Sequence, residues 1–378
     1  MTAAATGIHL RLSRSSGSTG APALANPRSM NDLQGLRVVV AGAGAVGSVT
    51  ALSLIRRGAR VVLADPGAQA DNASGVAAGM LAPVFEALLD TVSADHYPIL
   101  KIARDAWTTL LQSHPGLPPL DRAGGLLRVS EPGIGEALLA RARVIGAPLE
   151  ALDAVQAGRR APGLAGEGAF LFTPDDWRLE PRAMLAALLA AFEAAGGLRL
   201  AGSANRWRDG LVLFEDAKPL AADALVLATG INGGGLTPIK GQILRFDGFG
   251  PATGPVVRGE GVYAAPSSQG MIVGATMEEG RLDRAIDPEA IARLRAGAAR
   301  LYPALGEMAA SAYAGVRAAT ADGLPLVGRA GESGVLTARG ARRNGWLLAP
   351  LMAEVIAERL ADLPFSAAAR AFDAARFG

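Results

Sequence analysis

Residues 36–65 read LRVVVAGAGAVGSVTALSLIRRGARVVLAD, and this stretch decides the fold. Leu36–Ala41 is a largely apolar, β-branched run of strand length, the pattern of a strand covered on both faces in a parallel sheet. Gly42-Ala43-Gly44-Ala45-Val46-Gly47 follows at once as G-x-G-x-x-G, and Ala45–Arg57 carries a helical pattern ended by Gly58. Ala59–Asp65 is a second buried strand, so the whole is a βαβ unit of about 30 residues, the size that motif requires. Each glycine has a mechanical task. Gly42 permits the tight turn, Gly44 lets backbone approach a pyrophosphate, and Gly47 lets helix and strand pack closely, while the helix N-terminus faces the phosphate charge. Asp65 closes the second strand 18 residues after Gly47, where a carboxylate accepts the hydroxyls of an adenosine ribose and argues against a 2′-phosphate. A lone glycine motif is weak; strand, helix, second strand and terminal acid in agreement predict a dinucleotide site.

Outward from this unit the chain does not continue as a contiguous doubly wound sheet. Residues 95–160 carry helical periodicity broken by Pro and Gly. Pro181–Ala195 predicts a helix with Pro in its first turn, and Leu198–Ala201, Leu211–Phe214 and Ala224–Thr229 predict strands, the last ending in Ala-Thr-Gly. Between about 236 and 316 the pattern changes to short strands, Gln242–Phe246, Gly261–Ala265 and Met271–Ala275, with one helix over Pro288–Leu301. Gly334–Thr337 and Gly345–Leu360 close the chain as strand and helix. A nucleotide fold assembled from separated pieces suits a long cofactor whose far end reaches a second domain, which favours FAD over NAD. The predicted fold class is α/β: a Rossmann-like FAD-binding domain from discontinuous segments (35–85, 160–235 and 316–378) and an antiparallel-sheet α+β substrate domain (86–159 and 236–315). Residues 1–34, rich in Ser, Ala, Gly and Pro, are expected to be a disordered tail.

Composition narrows the chemistry. The chain has no cysteine, which removes disulfides, thiolate nucleophiles and cysteine metal ligands, and only three histidines, His9, His96 and His114, none at ligand spacing from another. No metal site is expected. Of the 37 basic residues only Lys101, Lys218 and Lys240 are lysine; the arginines are scattered among acids, with no basic stripe of the kind that tracks nucleic acid. No apolar stretch approaches the roughly 20 residues of a membrane span. A cytoplasmic protein that binds neither nucleic acid nor membrane is expected.

Six stretches, in this order and spacing, resemble the D-amino-acid-oxidase-like flavoproteins, nearest the branch that oxidises glycine in thiamine biosynthesis. They are GAGAVG, ASGVAAGMLAP (73–83), PIKGQ (238–242), IVGATM (272–277), GVRAATADGLPLVGR (315–329) and GARRNGWLLAP (340–350). The resemblance runs from about Leu36 to the C-terminus. It implies that Gly42, Gly44, Ala45, Val46, Gly47 and Asp65 hold the adenosine diphosphate half of FAD. Ser74, Ala78, Gly79 and Met80 match the loop lying along the flavin, and Asn344, Gly345, Trp346 and Leu347 match the segment closing over its ring and ribityl chain. Arg343 falls on the position that pairs with the substrate carboxylate, while Arg317, Tyr263 and Met277 match pocket-lining residues. The chain departs from the family in Ala341 (usually His), Ala318 (usually Pro) and Asp65 (more often Glu).

These residue types fit amino-acid oxidation. An arginine fork holds a carboxylate by two parallel hydrogen bonds, so Arg343 is expected as the anchor, with Arg317 as second donor or structural partner. Tyr263 can donate to the same carboxylate while its ring walls the pocket; Met277 is expected to pack, and Lys240 to be a solvated surface residue. No general base stands among them, as expected if a neutral amine is bound and its α-hydrogen leaves as hydride. The resemblance implies oxidation of glycine or another small amino acid to imine, 2-oxo acid, ammonia and hydrogen peroxide, with O₂ as electron acceptor, in a homo-oligomer serving thiamine thiazole synthesis. The alternatives are a D-amino-acid dehydrogenase passing electrons to a carrier and a tRNA-modifying flavin oxidoreductase of the same fold.

Overall fold

The computed structural model describes residues 32–67, 72–129, 131, 133–166, 168–215, 217–232, 234–331 and 334–377. The expected tail, residues 1–34, lies outside the described residues as far as residue 31. Its last part is corrected: Leu33 is fully buried, and its amide donates to the Arg57 carbonyl at 2.8 Å. Packing against the end of the first helix therefore starts three residues before the apolar run that marks the first strand.

Six strands form the nucleotide sheet, in the spatial order Leu326–Arg329, Val335–Arg339, Ala224–Leu227, Arg37–Ala41, Arg60–Ala64 and Leu198–Leu200. All neighbours are parallel except the first pair. Side chains alternate across a strand, and here both faces are covered, which is why the runs are apolar without alternation. Val38, Val40, Val61, Leu63 and Val226 join the core beneath helices Ala45–Arg56, Pro181–Ala194 and Gly345–Leu360. Val39, Ala41, Ala64 and Leu225 face the other way, onto Ala204, Val212 and Ala222 of a three-stranded antiparallel sheet, Ala204–Arg208, Leu211–Phe214 and Leu220–Ala221, and its flank.

The second sheet has nine strands. Its path runs Glu278–Glu279, Thr237–Asp247, Gly270–Gly274, Val262–Ser267, Val256–Gly259, Gly125–Arg128, Phe170–Thr173 and Glu150–Leu152, while Ser311–Ala319 pairs with the other edge of Thr237–Asp247. It is antiparallel except where Val256–Gly259 meets Gly125–Arg128. One face, with Leu244, Phe246, Val257, Ala264 and Val273, packs under helix Pro288–Leu301. The opposite face, with Ile243, Val256, Ala265 and Ile272, packs on Ala78 and the residues around it. That contact brings the sheet against the loop that leaves the nucleotide fold.

The α/β class and the two kinds of sheet are as expected, and helices Pro288–Leu301 and Gly345–Leu360 have the spans predicted. The segment boundaries need correction. Phe170–Thr173, placed with the nucleotide unit, lies inside the nine-stranded sheet between Gly125–Arg128 and Glu150–Leu152. Helix Tyr97–Ser113, placed with the substrate unit, buries Leu100, Ala103 and Trp107 in the nucleotide core. A boundary at 315/316 would cut through Ser311–Ala319. Short apolar segments carry no label for the sheet they will join. The strand expected at Gln242–Phe246 is Thr237–Asp247, extended through Pro238 and Gly241 because it is paired along both edges.

Lys240 is also corrected. It is fully buried, its Nζ 2.8 Å from Asp283 and 3.8 Å from Glu278, and Glu278 stands opposite it across the ladder. Neighbouring Gln242 donates to Glu278 at 2.7 Å and accepts from the Asp287 amide at 2.8 Å. The two side chains tie residues 276–287 to the central strand.

Candidate active site

The glycine turn is built by close backbone approach. Gly42 has φ +102°, and a Cβ there would lie 2.4 Å from the Ala228 carbonyl oxygen, just past the end of the neighbouring strand. A Cβ on Gly47 would lie 1.8 Å from the Gly42 oxygen. The helix that follows has no side-chain bond from its own N-cap residue and no acid in its first turn; with the Ala43 and Ala45 amides taken by Asp65 and Ser74, those of Gly44, Val46 and Gly47 are left for an anion. Asp65 Oδ2 accepts from the Ala43 amide at 2.6 Å and Oδ1 from the Gly67 amide at 2.7 Å. Each carboxylate oxygen retains a lone pair for a ribose hydroxyl. Gly44 and Val46 are accessible, whereas Ala45 and Gly47 are buried, so those two can offer only backbone. This donor set fits the adenosine diphosphate half of FAD: free amides at a glycine cradle, and one acid beyond the next strand.

Ser74 fastens the following loop to the cradle. Its Oγ accepts from the Ala45 amide at 3.0 Å, and Asn72 caps the short helix Ala73–Val76 through Ser74 and Gly75. Gly79 has φ +75°, and a Cβ there would meet the Leu179 oxygen at 2.2 Å. Ala78 is buried against the nine-stranded sheet, and Met80 pairs with Arg178 in a two-stranded ladder. The indole of Trp346 donates to the Ser74 carbonyl at 3.0 Å, and the indole of Trp107 donates to the Trp346 carbonyl at 2.8 Å. Asn344 starts helix Gly345–Leu360, again without a side-chain cap or an acid in the first turn. Trp346 and Leu347 are buried in the nucleotide core. Their side chains therefore anchor this helix; Asn344 is buried with its amide and carbonyl bonded, and what the helix start leaves accessible is Gly345.

Of the residues expected to line a pocket, Arg317 and Tyr263 stand on one face of the nine-stranded sheet. Residues directly opposite in adjacent strands share a face, and the pairs Arg317–Ile239, Tyr313–Ile243, Ile243–Gly274, Gly274–Tyr263 and Tyr263–Arg258 carry that face across five strands. Two glycines make room on it. A Cβ on Gly241 would lie 2.3 Å from the Arg317 guanidinium, and one on Gly274 would lie 2.6 Å from the Tyr263 hydroxyl. Arg317 donates to the Thr276 carbonyl at 3.2 Å and to Met277 Sδ at 3.4 Å; Met277 itself is 44% exposed, at the outer edge of the cluster. Among the described residues no carboxylate lies within the 4.0 Å of an ion pair from Arg317. Burial pushes its pKa down, helped by the neighbouring Arg343 and Arg342 and opposed by Tyr263. Burial raises the Tyr263 hydroxyl, which several arginines pull back, so it stays a protonated donor at neutral pH.

Arg343 sits in a different electrostatic setting from the one expected of an anchor. Its Nε donates to Glu86 at 2.6 Å and its Nη2 is 3.7 Å from Asp90, both carboxylates being at most a tenth exposed. Burial opposes its charge, yet Glu86 and Asp90 outweigh burial and raise its pKa. Arg342 is paired with Asp90 as well. The fork expected to be the principal carboxylate anchor is thus already charge-compensated, whereas Arg317 has no partner acid among the described residues.

Sequence reasoning missed Glu86, Asp90, Asp176 and Arg258. The first two were legible as acids set within the apolar stretch PVFEALLD, at positions 86 and 90 on one helical face. Asp176, remote in sequence, accepts from the Val84 and Phe85 amides at 2.9 and 3.2 Å and so caps the helix bearing Glu86. Burial raises its pKa to about 6, against the pull of Arg258 and of these two amides. With the folded pKa above the unfolded one, the folded state binds the extra proton. The contribution of Asp176 to stability is then fully present below about pH 4 and is lost as pH rises through about 6. Asp176→Asn is expected to flatten the stability–pH curve over that window, as measured by thermal denaturation at a series of pH values; an unchanged slope would show that Asp176 ionises normally.

A model of the family described as FAD dependent oxidoreductase matches residues 37–359. An oxidoreductase of Rhizobium etli named for thiamine biosynthesis is 33% identical over 340 residues, spanning 86% of this chain and 96% of that protein. The glycine oxidase of Pseudomonas aeruginosa is 29% identical over 349 residues, spanning 85% of this chain and 94% of that protein. The crystal structure of glycine oxidase from Geobacillus kaustophilus superposes with a TM-score of 0.79 at 26% identity, covering 89% of this chain and 98% of that one.

Proposed function

This chain belongs to the family of FAD dependent oxidoreductases, and we propose that it oxidises the C–N bond of glycine or another small amino acid. The products are a 2-oxo acid, ammonia and, with O₂ as electron acceptor, hydrogen peroxide. The relatives named for glycine oxidation and for thiamine biosynthesis support this reading and a role in making the thiamine thiazole ring. One observation carries it: a buried guanidinium, Arg317, without a partner acid among the described residues, beside a protonated tyrosine on the sheet face that packs against the Ser74–Met80 loop.

When bound, FAD supplies the two-electron oxidation that takes the α-hydrogen as hydride and leaves an imine for water to hydrolyse. The chain's own residues bind and orient. Arg317 takes the substrate carboxylate through its fork, Tyr263 donates its hydroxyl to the same group, and together they fix the direction in which Cα points. Arg343 is held by Glu86 and Asp90 as a charged wall of the pocket. Those two carboxylates are committed to arginines, so neither is a ready base, and the amine is required to bind in its neutral form.

The test is anaerobic mixing of the purified yellow protein with glycine, sarcosine and D-alanine. Bleaching of the flavin by at least one of them is expected, followed by peroxide release on admitting air. Dye reduction without peroxide would make it a dehydrogenase. A flavin that none of the amines bleaches would remove the amino-acid reading.

A further inference from the structure

We propose that Arg258 binds a second acidic group of the substrate, so that the pocket prefers amino acids or amines carrying two acid groups, one held by Arg317 and the other by Arg258. This rests on the amine-oxidising reading above and narrows its substrate class.

Arg258 lies on Val256–Gly259 directly opposite Tyr263, on the same sheet face as Gly274, Tyr313 and Arg317. It is partly buried, and its donors are almost unused. Nη1 donates to Met80 Sδ at 3.1 Å, a thioether and hence a weak acceptor. Its Cζ is 5.5 Å from the centre of the Phe85 ring. Among the described residues no carboxylate comes within 4.0 Å of it. Several other arginines have acids: Arg342 and Arg343 have Asp90 and Glu86, Arg104 has Asp105 and Asp175, and Arg178 has Asp121 and Glu180.

The rival role is countercharge to Asp176, whose pKa Arg258 pulls down. That attraction acts at a distance: among the described residues no hydrogen bond or ion pair joins Arg258 to Asp176, whose oxygens accept from the Val84 and Phe85 amides. A half-buried cation with unspent donors is stabilised when an anion arrives. Both arginines rise from one sheet face, with Tyr263 on a strand between them. The Arg317 head sits over Gly241, and three strand spacings, about 14 Å at the backbone, separate that strand from the one bearing Arg258. Met80 packs in one cluster with Ile243 and Tyr263, and the Arg258 side chain reaches between Met80 and Phe85. A dicarboxylic amino acid or an N-carboxymethyl amino acid supplies two acid groups on opposite sides of the reacting carbon; glycine supplies one.

The experiment uses the flavin-loaded enzyme, wild type, Arg258→Met and Arg258→Lys. Dissociation constants for succinate and propionate are read from the perturbed flavin spectrum, and kcat/KM is measured for D-aspartate, iminodiacetate, glycine and D-alanine. In the wild type succinate is expected to bind more tightly than propionate by about 10- to 150-fold, the range a charge-assisted pair commands. Arg258→Met collapses that preference to within about threefold, together with the acidic-to-neutral ratio of kcat/KM, and Arg258→Lys restores part of it. A preference absent from the wild type, or unchanged in Arg258→Met, overturns the assignment. So does a uniform loss for all ligands together with a lowered Tm, which would leave Arg258 as countercharge to Asp176. If the succinate preference depends on Arg258 but no amine bleaches the flavin, the oxidase reading fails and the assignment stands. If amines bleach it and the preference does not respond, the reverse holds.

Discussion

Replacing Arg317 with methionine is expected to lower kcat/KM for the best amine by at least about 100-fold while the purified protein stays yellow. Two parallel charge-assisted hydrogen bonds to a carboxylate contribute about 1.5–3 kcal/mol each, which corresponds to roughly 10²- to 10⁴-fold. Methionine preserves most of the volume, and Arg317 leaves no carboxylate stranded among the described residues, so the loss falls on binding rather than folding. Arg343→Met should behave in the opposite way. It strips Glu86 of its partner and Asp90 of one of two, and a buried carboxylate deprived of its partner costs up to about 3–5 kcal/mol of stability. Steady-state kinetics and thermal denaturation of both variants decide the matter. If Arg343→Met raises KM steeply at unchanged Tm while Arg317→Met is nearly silent, the anchor is Arg343.

Gly47→Ala is expected to yield protein with less than about a tenth of the wild-type flavin content. The new methyl would lie 1.8 Å from the Gly42 carbonyl oxygen and 2.9 Å from its carbon. Both are backbone of the turn that receives the pyrophosphate, so no side chain can swing away. The helix must withdraw from the strand, and the phosphate loses the amides that faced it. Absorbance at the flavin band per mole of protein measures the effect, and the missing ligand should also lower Tm. Gly116→Ala is the matched control: the added methyl meets nothing within 4 Å and φ there is not positive. Gly47→Ala protein that purifies with full flavin would show that the turn relaxes and that the close approach is not required.

The nucleotide half of the fold was legible because its signals are local. Strand, glycine turn, helix and acid occupy 30 consecutive residues, and each of Gly42, Gly47 and Asp65 does its work within that unit or against the adjacent strand end at Ala228. Helices Pro288–Leu301 and Gly345–Leu360 were legible for the same reason, from their own periodicity. The candidate pocket residues Arg317, Tyr263 and Met277 were proposed through resemblance of short motifs; that Arg317 and Tyr263 share one sheet face depends on register between strands about 50 residues apart.

What the sequence determined by itself was which residues could build a dinucleotide fold and which side chains could serve an amino acid, because backbone propensity, spacing and side-chain chemistry are properties of neighbours along the chain. The tertiary structure alone decided which charges stand free. Arg343 is compensated because helix Pro83–Leu89 brings Glu86 to it across 257 residues, Lys240 is buried because residues 278–283 fold over it, and Arg317 and Arg258 are left without acids among the described residues. Compensation between charges falls off with distance in space and is indifferent to separation in sequence, and so an arginine count, however complete, could not say which of them waits for a ligand.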